Sequence, residues 1–194
     1  MAQLYFMYAA MNSGKSTSLL TVAHNYKERG MGTLVMKPEI DTRDSSSEVV
    51  SRIGLRQEAN MIKKDMNVFE FFKYASAQRD IHCVLIDEAQ FLEPEQVVQL
   101  CKIVDYYNVP VMAYGLRTDF RGELFKGSKA LFQSADKLIE LKGVCHCGRK
   151  STMVARIDEN GSPVIEGDQI LLGGEDKYTS LCRKHWCELL GIYQ

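Results

Sequence analysis

The stretch that most constrains this chain is Ala9-Ala10-Met11-Asn12-Ser13-Gly14-Lys15-Ser16. It follows the apolar run Leu4-Tyr5-Phe6-Met7-Tyr8 and leads into a helical pattern, so it reads as strand, tight loop and helix start. In that setting a Gly-Lys-Ser loop turns its backbone N–H groups inward and the helix N-terminus adds partial positive charge, which together cradle an anion. The pattern G-x-x-x-x-G-K-[ST] assigns Lys15 to the β- and γ-phosphates of a nucleotide and the Ser16 hydroxyl to Mg²⁺. The pattern's first glycine is here Ala9, and a side chain narrows the backbone conformations that glycine keeps open. The plain alternative is a chance Gly-Lys-Ser at a helix N-terminus.

Such a loop requires strands alternating with helices, and the chain supplies them. Residues 33–36, 84–86 (preceded by Cys83), 109–114 and 138–141 read as short strands, and residues 16–29, 68–78 and 94–107 as helices. The last helix has Val97, Val98, Cys101 and Val104 on its apolar side. This alternation predicts an α/β fold, a P-loop NTPase-like parallel sheet flanked by helices with right-handed crossovers. Residues 40–60, polar and centred on Ser45-Ser46-Ser47, read as a loop. From Gly143 onward cysteines, glycines and hairpin-like stretches take over. The predicted division is an ATP-binding domain over 1–142 and a small lobe over 143–194, whose roughly 50 residues are too few to be held by core burial alone.

Composition narrows the partners. The chain has 194 residues, 45% of them apolar, and a formal net charge of −1. No global basic field exists to hold long nucleic acid, so none is expected as a partner. No apolar run approaches the ~20 residues of a membrane span, and no signal-peptide pattern opens the chain. The expectation is a cytoplasmic protein with no membrane partner.

Val84-Leu85-Ile86-Asp87-Glu88 is an apolar strand ending in two carboxylates. Parallel α/β folds bind ligands at the carboxyl ends of strands. Asp87 there suits Mg²⁺, as the Walker-B acid does, and Glu88 suits a general base aimed at the reacting group. The bland reading is a helix N-terminus decorated with acids. Asp87-Glu88-Ala89-Gln90 also resembles the acidic box of helicases, but a helicase motor needs two such domains and a basic groove.

The chain has six cysteines. Cys83 and Cys101 sit in apolar surroundings and read as core. Cys145-His146-Cys147 and Cys182-Arg183-Lys184-His185-Trp186-Cys187 form two clusters with ligand spacing, and cytosolic cysteines favour metal over disulfides. The chosen structural Zn²⁺ ligands are Cys145, Cys147, Cys182 and His185, with His146 and Cys187 as rivals. Reduced, unligated thiols are the alternative.

Taken together these residues resemble the type II thymidine kinases, the zinc-containing P-loop group. Met11-Asn12-Ser13-Gly14-Lys15-Ser16-Thr17, Asp41-Thr42-Arg43, Asp87-Glu88-Ala89-Gln90-Phe91, the stretch Tyr114 to Gly122, the Cys/His clusters and Gly173-Gly174-Glu175-Asp176-Lys177-Tyr178 carry the likeness, with a bacterial flavour. The resemblance implies transfer of the ATP γ-phosphoryl group to thymidine, with deoxyuridine a second acceptor, and Glu88 as the base. It implies nucleotide contacts from Ala9, Ala10, Met11, Asn12, Ser13, Gly14, Lys15, Ser16, Asp87, Glu88, Ala89 and Gln90. It implies a nucleoside pocket of Met11, Phe91, Leu116, Phe120 and Phe125, closed by a lasso segment with Gln169, Ile170, Leu171, Leu172, Gly173 and Tyr178. From apolarity alone Leu116, Phe120 and Phe125 would be core. Arg43 and Arg52 are either extra cations near the phosphates or solvated loop charges. The resemblance further implies a homotetramer and feedback inhibition by dTTP. The residue chemistry alone also permits a P-loop kinase of another nucleoside, or a zinc-stabilised ATP-binding module without catalysis.

Overall fold

The computed structural model describes residues 1–39, 47–169 and 177–193. In chain order it runs β1 (Leu4–Ala9), α1 (Lys15–Glu28), β2 (Thr33–Pro38), a hairpin of β3 (Glu48–Val50) and β4 (Arg56–Glu58), β5 (Asn60–Ile62), α2 (Val68–Ser76) and β6 (Cys83–Ile86). It continues with α3 (Pro94–Tyr107), β7 (Val111–Leu116), α4 (Lys126–Ser134) and β8 (Lys137–Glu140). The last elements are β9 (Gly143–Val144), β10 (Lys150–Ser151), β11 (Met153–Ile157), β12 (Pro163–Val164), β13 (Tyr178–Leu181) and α5 (Arg183–Leu189).

Six strands form one sheet in the order β5-β2-β6-β7-β1-β8, and every neighbouring pair is parallel. A parallel sheet covered by helices on both faces needs strands that are apolar throughout, and all four residues of β6 are buried. Its side chains alternate between two cores. Val84 and Ile86 join Leu4, Phe6, Phe72 and Leu100 on one face, while Cys83 and Leu85 join Leu19, Leu20, Val35 and Tyr114 on the other. The register pairs Ala9 with Leu116 and Ile86 with Ala113, so β1, β6 and β7 end at one edge of the sheet. That edge carries the site.

Two expectations need correction, and two helices escape the sequence pattern. Residues 47–60 are not a loop: they hold the β3–β4 hairpin, and Asn60 opens the edge strand β5. Three-residue strands are too short to show an alternation, and Val49 is the one residue of the hairpin strands that is fully buried. Residues 40–46 lie outside the described residues. Val98 is 52% exposed, and the buried face of α3 instead includes Gln96 and Gln99. Both glutamines earn burial through backbone hydrogen bonds: Gln99 Oε1 accepts from Val68 N at 2.7 Å, and Gln96 Nε2 donates to Lys63 O at 2.8 Å. Helix α4 carries Gly127 and Ser128 in its first turn, which disguise it in sequence, and α5 is disguised by its cysteine and histidine.

The C-terminal segment forms a two-stranded ribbon of β9 and β10 and a three-stranded antiparallel sheet in the order β12-β11-β13. A separate apolar cluster of Cys145, Met153, Ala155, Leu181, Cys182, Trp186 and Cys187 fills it. It is stitched to the parallel-sheet part through Trp186 Nε1, which donates to Phe120 O at 3.3 Å and Val154 O at 3.0 Å, and through Ser180 Oγ, which donates to Met11 O at 2.7 Å. Among the described residues no helix is long and apolar enough to cross a membrane.

Candidate functional site

The loop between β1 and α1 needs two left-handed residues. Asn12 has φ 60° and Gly14 φ 74°, so the chain reverses within the loop and enters α1 at Lys15. Asparagine and glycine tolerate that backbone region better than other residues. Ala9 and Ala10 are buried where the strand ends; a small side chain in place of the pattern's first glycine is accommodated. The Lys15 ammonium is buried and donates to Ala10 O at 2.9 Å. Burial lowers its pKa, and the carboxylates of Glu88 and Asp87 oppose that.

Asp87 follows β6 at the same sheet edge. Ser16 Oγ donates to Asp87 Oδ2 at 2.9 Å, which joins the two halves of the phosphate motif across the sheet. Asp87 is 4% exposed, and its Oδ1 has no hydrogen-bond partner among the described residues. Burial, helped by the neighbouring Glu88 carboxylate, pushes the Asp87 pKa up to about 6, against the Ser16 hydrogen bond. A buried carboxylate with an orphaned oxygen beside a hydroxyl suits a hard cation with oxygen ligands.

Glu88 sits in the left-handed region with φ 51°, a backbone state that a bulky residue adopts at a cost and that recurs at functional sites. A cleft of about 530 Å³ is lined by residues 11–17, 50–53, Glu88 and Leu116. It thus unites the phosphate loop, Glu88, Met11 and Leu116, and it brings Arg52 alongside. Arg43 lies outside the described residues. A larger groove of about 1070 Å³ runs between α1 and the β3–β4 hairpin, but it lacks the phosphate loop and both carboxylates, so the chemistry points to the smaller cleft.

Not every expected contact faces that cleft. Ala89 packs in the apolar core, and Gln90 is 1% exposed beneath Glu88. Phe91 and Phe125 meet edge to face with ring centres 5.5 Å apart. Phe120 is buried, with the Arg156 guanidinium 4.2 Å from its ring centre. Tyr178 lies on β13 in register with Arg156. Gln169 Nε2 donates to Asp119 Oδ2 at 3.1 Å. Ile170, Leu171, Leu172 and Gly173 lie outside the described residues.

Sequence reasoning missed Asp119. Its side chain is wholly buried and accepts from Arg121 Nη2 at 2.9 Å and from the backbone N–H groups of Arg121 and Glu123. The carboxylate ties the β7–α4 connection to Gln169. An acid between Thr118 and Phe120, with Arg117 and Arg121 two residues to either side, reads as a surface residue, so only the fold reveals its role.

Cys145, Cys147, Cys182 and His185 converge, with all four ligand atoms within 4.8 Å of one another. Cys147 Sγ and Cys182 Sγ are 3.9 Å apart, and His185 Nδ1 is 3.3 Å from Cys145 Sγ and 3.6 Å from Cys182 Sγ. Zn–S bonds of about 2.3 Å and Zn–N bonds of about 2.0 Å in a tetrahedron require edges of this size. The donor set therefore fits structural Zn²⁺. The rivals Cys187 and His146 are not in that converging set; His146 stacks on the His185 ring with centres 4.3 Å apart.

Comparison with known proteins places this geometry in context. The family model described as thymidine kinase matches residues 2–186. The chain is 70% identical over 189 residues to the thymidine kinase of Enterobacteria phage T4, covering 97% of each. It is 54% identical over 191 residues to the thymidine kinase of Aliivibrio fischeri, covering 98% of this chain and 100% of that one. It is 53% identical over 190 residues to the thymidine kinase of Salmonella typhimurium, covering 98% and 93%.

Proposed function

This chain belongs to the thymidine kinase family, and from that premise we propose how its cleft carries the γ-phosphoryl group of ATP to the 5′-hydroxyl of thymidine. The products are thymidine monophosphate and ADP, and deoxyuridine is a second acceptor. The observation that supports this most is one cleft lined by Lys15, Ser16, Glu88, Met11 and Leu116.

The loop from Ala9 to Ser16 takes the ATP phosphates, with Lys15 turning from Ala10 O to the β- and γ-phosphates. Mg²⁺ held by Ser16 and Asp87 would neutralise phosphate charge. Glu88 accepts the proton of the 5′-hydroxyl as the new O–P bond forms and the bond to the β-phosphate oxygen breaks. Met11, Leu116 and the Phe91, Phe120 and Phe125 rings, with Gln169, Tyr178 and residues 170–173, form the nucleoside side. Phosphoryl transfer rests on positioning and charge stabilisation, so this small set is chemically sufficient. Arg52, on the rim of the cleft, adds positive charge.

Zn²⁺ on Cys145, Cys147, Cys182 and His185 staples the two ends of the lobe over 143–194 to each other. Metal ligation replaces the core burial that so short a segment lacks. The family reading extends to a homotetramer, to cytoplasmic salvage of deoxynucleosides, and to dTTP as an inhibitor that fills the nucleoside side and trails its phosphates into the loop. The test is Glu88→Gln. Nucleotide and thymidine binding should persist by calorimetry while single-turnover phosphoryl transfer falls by at least ~10²-fold, the scale of general-base catalysis. Unchanged transfer would remove Glu88 from the mechanism.

A further inference from the structure

Gln90 is one of the most buried polar residues of the chain, 1% exposed, and both ends of its amide are engaged. Its Nε2 donates to Glu88 Oε2 at 2.5 Å, and its Oε1 accepts from Leu116 N at 3.0 Å. One side chain therefore bridges the cleft carboxylate and the end of β7. The surrounding backbone is built to hold it. A Cβ at Gly115 would stand 3.0 Å from both Gln90 N and Gln90 Oε1. A Cβ at Gly127 would stand 2.5 Å from Ala89 O and 2.8 Å from Gln90 O. Two neighbouring elements are thus bare where they press on this turn. Leu116 is itself fixed from its other side, because Ser128 Oγ donates to Leu116 O at 2.6 Å.

We infer that Gln90 is the positioning residue for Glu88, gripping one carboxylate oxygen so that the other is presented to the acceptor hydroxyl. Glu88 needs such a grip. It stands on a left-handed backbone at the head of a short turn, and it borders an open cleft where a glutamate side chain has several rotamers to choose from. A carboxylate fixed by a neutral amide is aimed without being neutralised by a cation. The Leu116 bond ties that aim to β7, whose end also borders the nucleoside side of the cleft. The catalytic group and the acceptor wall are then referenced to one strand. This inference rests on the reading of Glu88 as the base.

The test uses two variants of the full zinc-loaded chain. Gln90→Met keeps the length and removes both hydrogen bonds. Gln90→Glu keeps the shape and the acceptor for Leu116 N–H but replaces the amide donor with a proton shared between two carboxylates, which perturbs Glu88 as a base. Steady-state kinetics are measured with ATP and thymidine, alongside Glu88→Gln. The expected result is a kcat lowered by about 10- to 100-fold in both variants, with the KM of thymidine and of ATP within about threefold of the parent, the signature of an interaction made in the transition state alone. Near-parental kcat in Gln90→Met would overturn the inference, since the donor to Glu88 is gone. A raised KM at constant kcat would also overturn it, making Gln90 part of the pocket wall. The control separates the two levels. If Glu88→Gln retains turnover, the base reading itself fails; if Glu88→Gln is inactive and the Gln90 variants are not impaired, only the role of Gln90 fails.

Discussion

Replacing Gly127 by alanine tests the packing of the catalytic turn, because helix propensity and local contact demand opposite signs. Gly127 lies in the first turn of α4, where alanine is favoured over glycine by up to about 1 kcal/mol. A Cβ there, however, would stand 2.5 Å from Ala89 O, 2.8 Å from Gln90 O and 2.9 Å from Leu92 O. All three are backbone oxygens and cannot swing aside as a flexible side chain would. Overpacking of this kind costs about 2–3 kcal/mol, so the net loss is about 1–2 kcal/mol. For a chain of this size that is a fall in Tm of roughly 2–8 °C. Relief by moving α4 away or by pushing the turn also shifts Glu88, so kcat should fall with it. Thermal and urea unfolding of zinc-loaded protein, together with turnover, measure both effects. A Gly127→Ala protein as stable as the parent, or more stable, would refute the close approach of α4 to this turn.

Three further outcomes are expected. Burial pushes the Cys83 thiol from its ordinary value of 9.0 up to about 12. The folded state keeps that proton while the unfolded chain releases it, so stability should decline from about pH 9 to pH 12; urea titrations across that range should flatten in Cys83→Ala, and an unchanged slope would contradict the assignment. Removal of Zn²⁺ by a chelator should expose Trp186, the chain's single tryptophan, which packs with two of the cysteine ligands; a red shift in fluorescence is expected, and an unshifted spectrum would show that the lobe stands without metal. Asp119→Ala strands two backbone N–H groups, Arg121 and Gln169 at once, which should cost about 2–4 kcal/mol because Arg121 retains part of its solvent contact. Urea unfolding measures that loss, and a change under ~1 kcal/mol would mean that the network is dispensable.

The strongest features were legible because they repeat simple physical rules. The apolar runs of β1 and β6, the phosphate loop and the apolar helix patterns lie on contiguous residues, and α3 spans the expected Pro94–Tyr107. The four metal ligands were chosen on spacing, and those four converge. What escaped depends on partners far apart in sequence. Gln96 and Gln99 look like surface residues until the backbone of residues 63–68 is beside them. The β3–β4 hairpin is two three-residue strands, below the length at which alternation is readable. Helix α4 carries glycine in its first turn because the turn after Glu88 presses on it, a tertiary demand that overrides local propensity. Asp119 carries no local mark of its burial.

The most direct measurement is product analysis with Mg-ATP and a panel of thymidine, deoxyuridine, deoxycytidine, deoxyadenosine and deoxyguanosine, read by ADP release and mass spectrometry. Zinc-loaded protein should form thymidine monophosphate and ADP in equal amounts, with deoxyuridine the one other acceptor turned over. ADP release without a nucleoside monophosphate, or no turnover with any of the five, would contradict thymidine phosphorylation in this cleft.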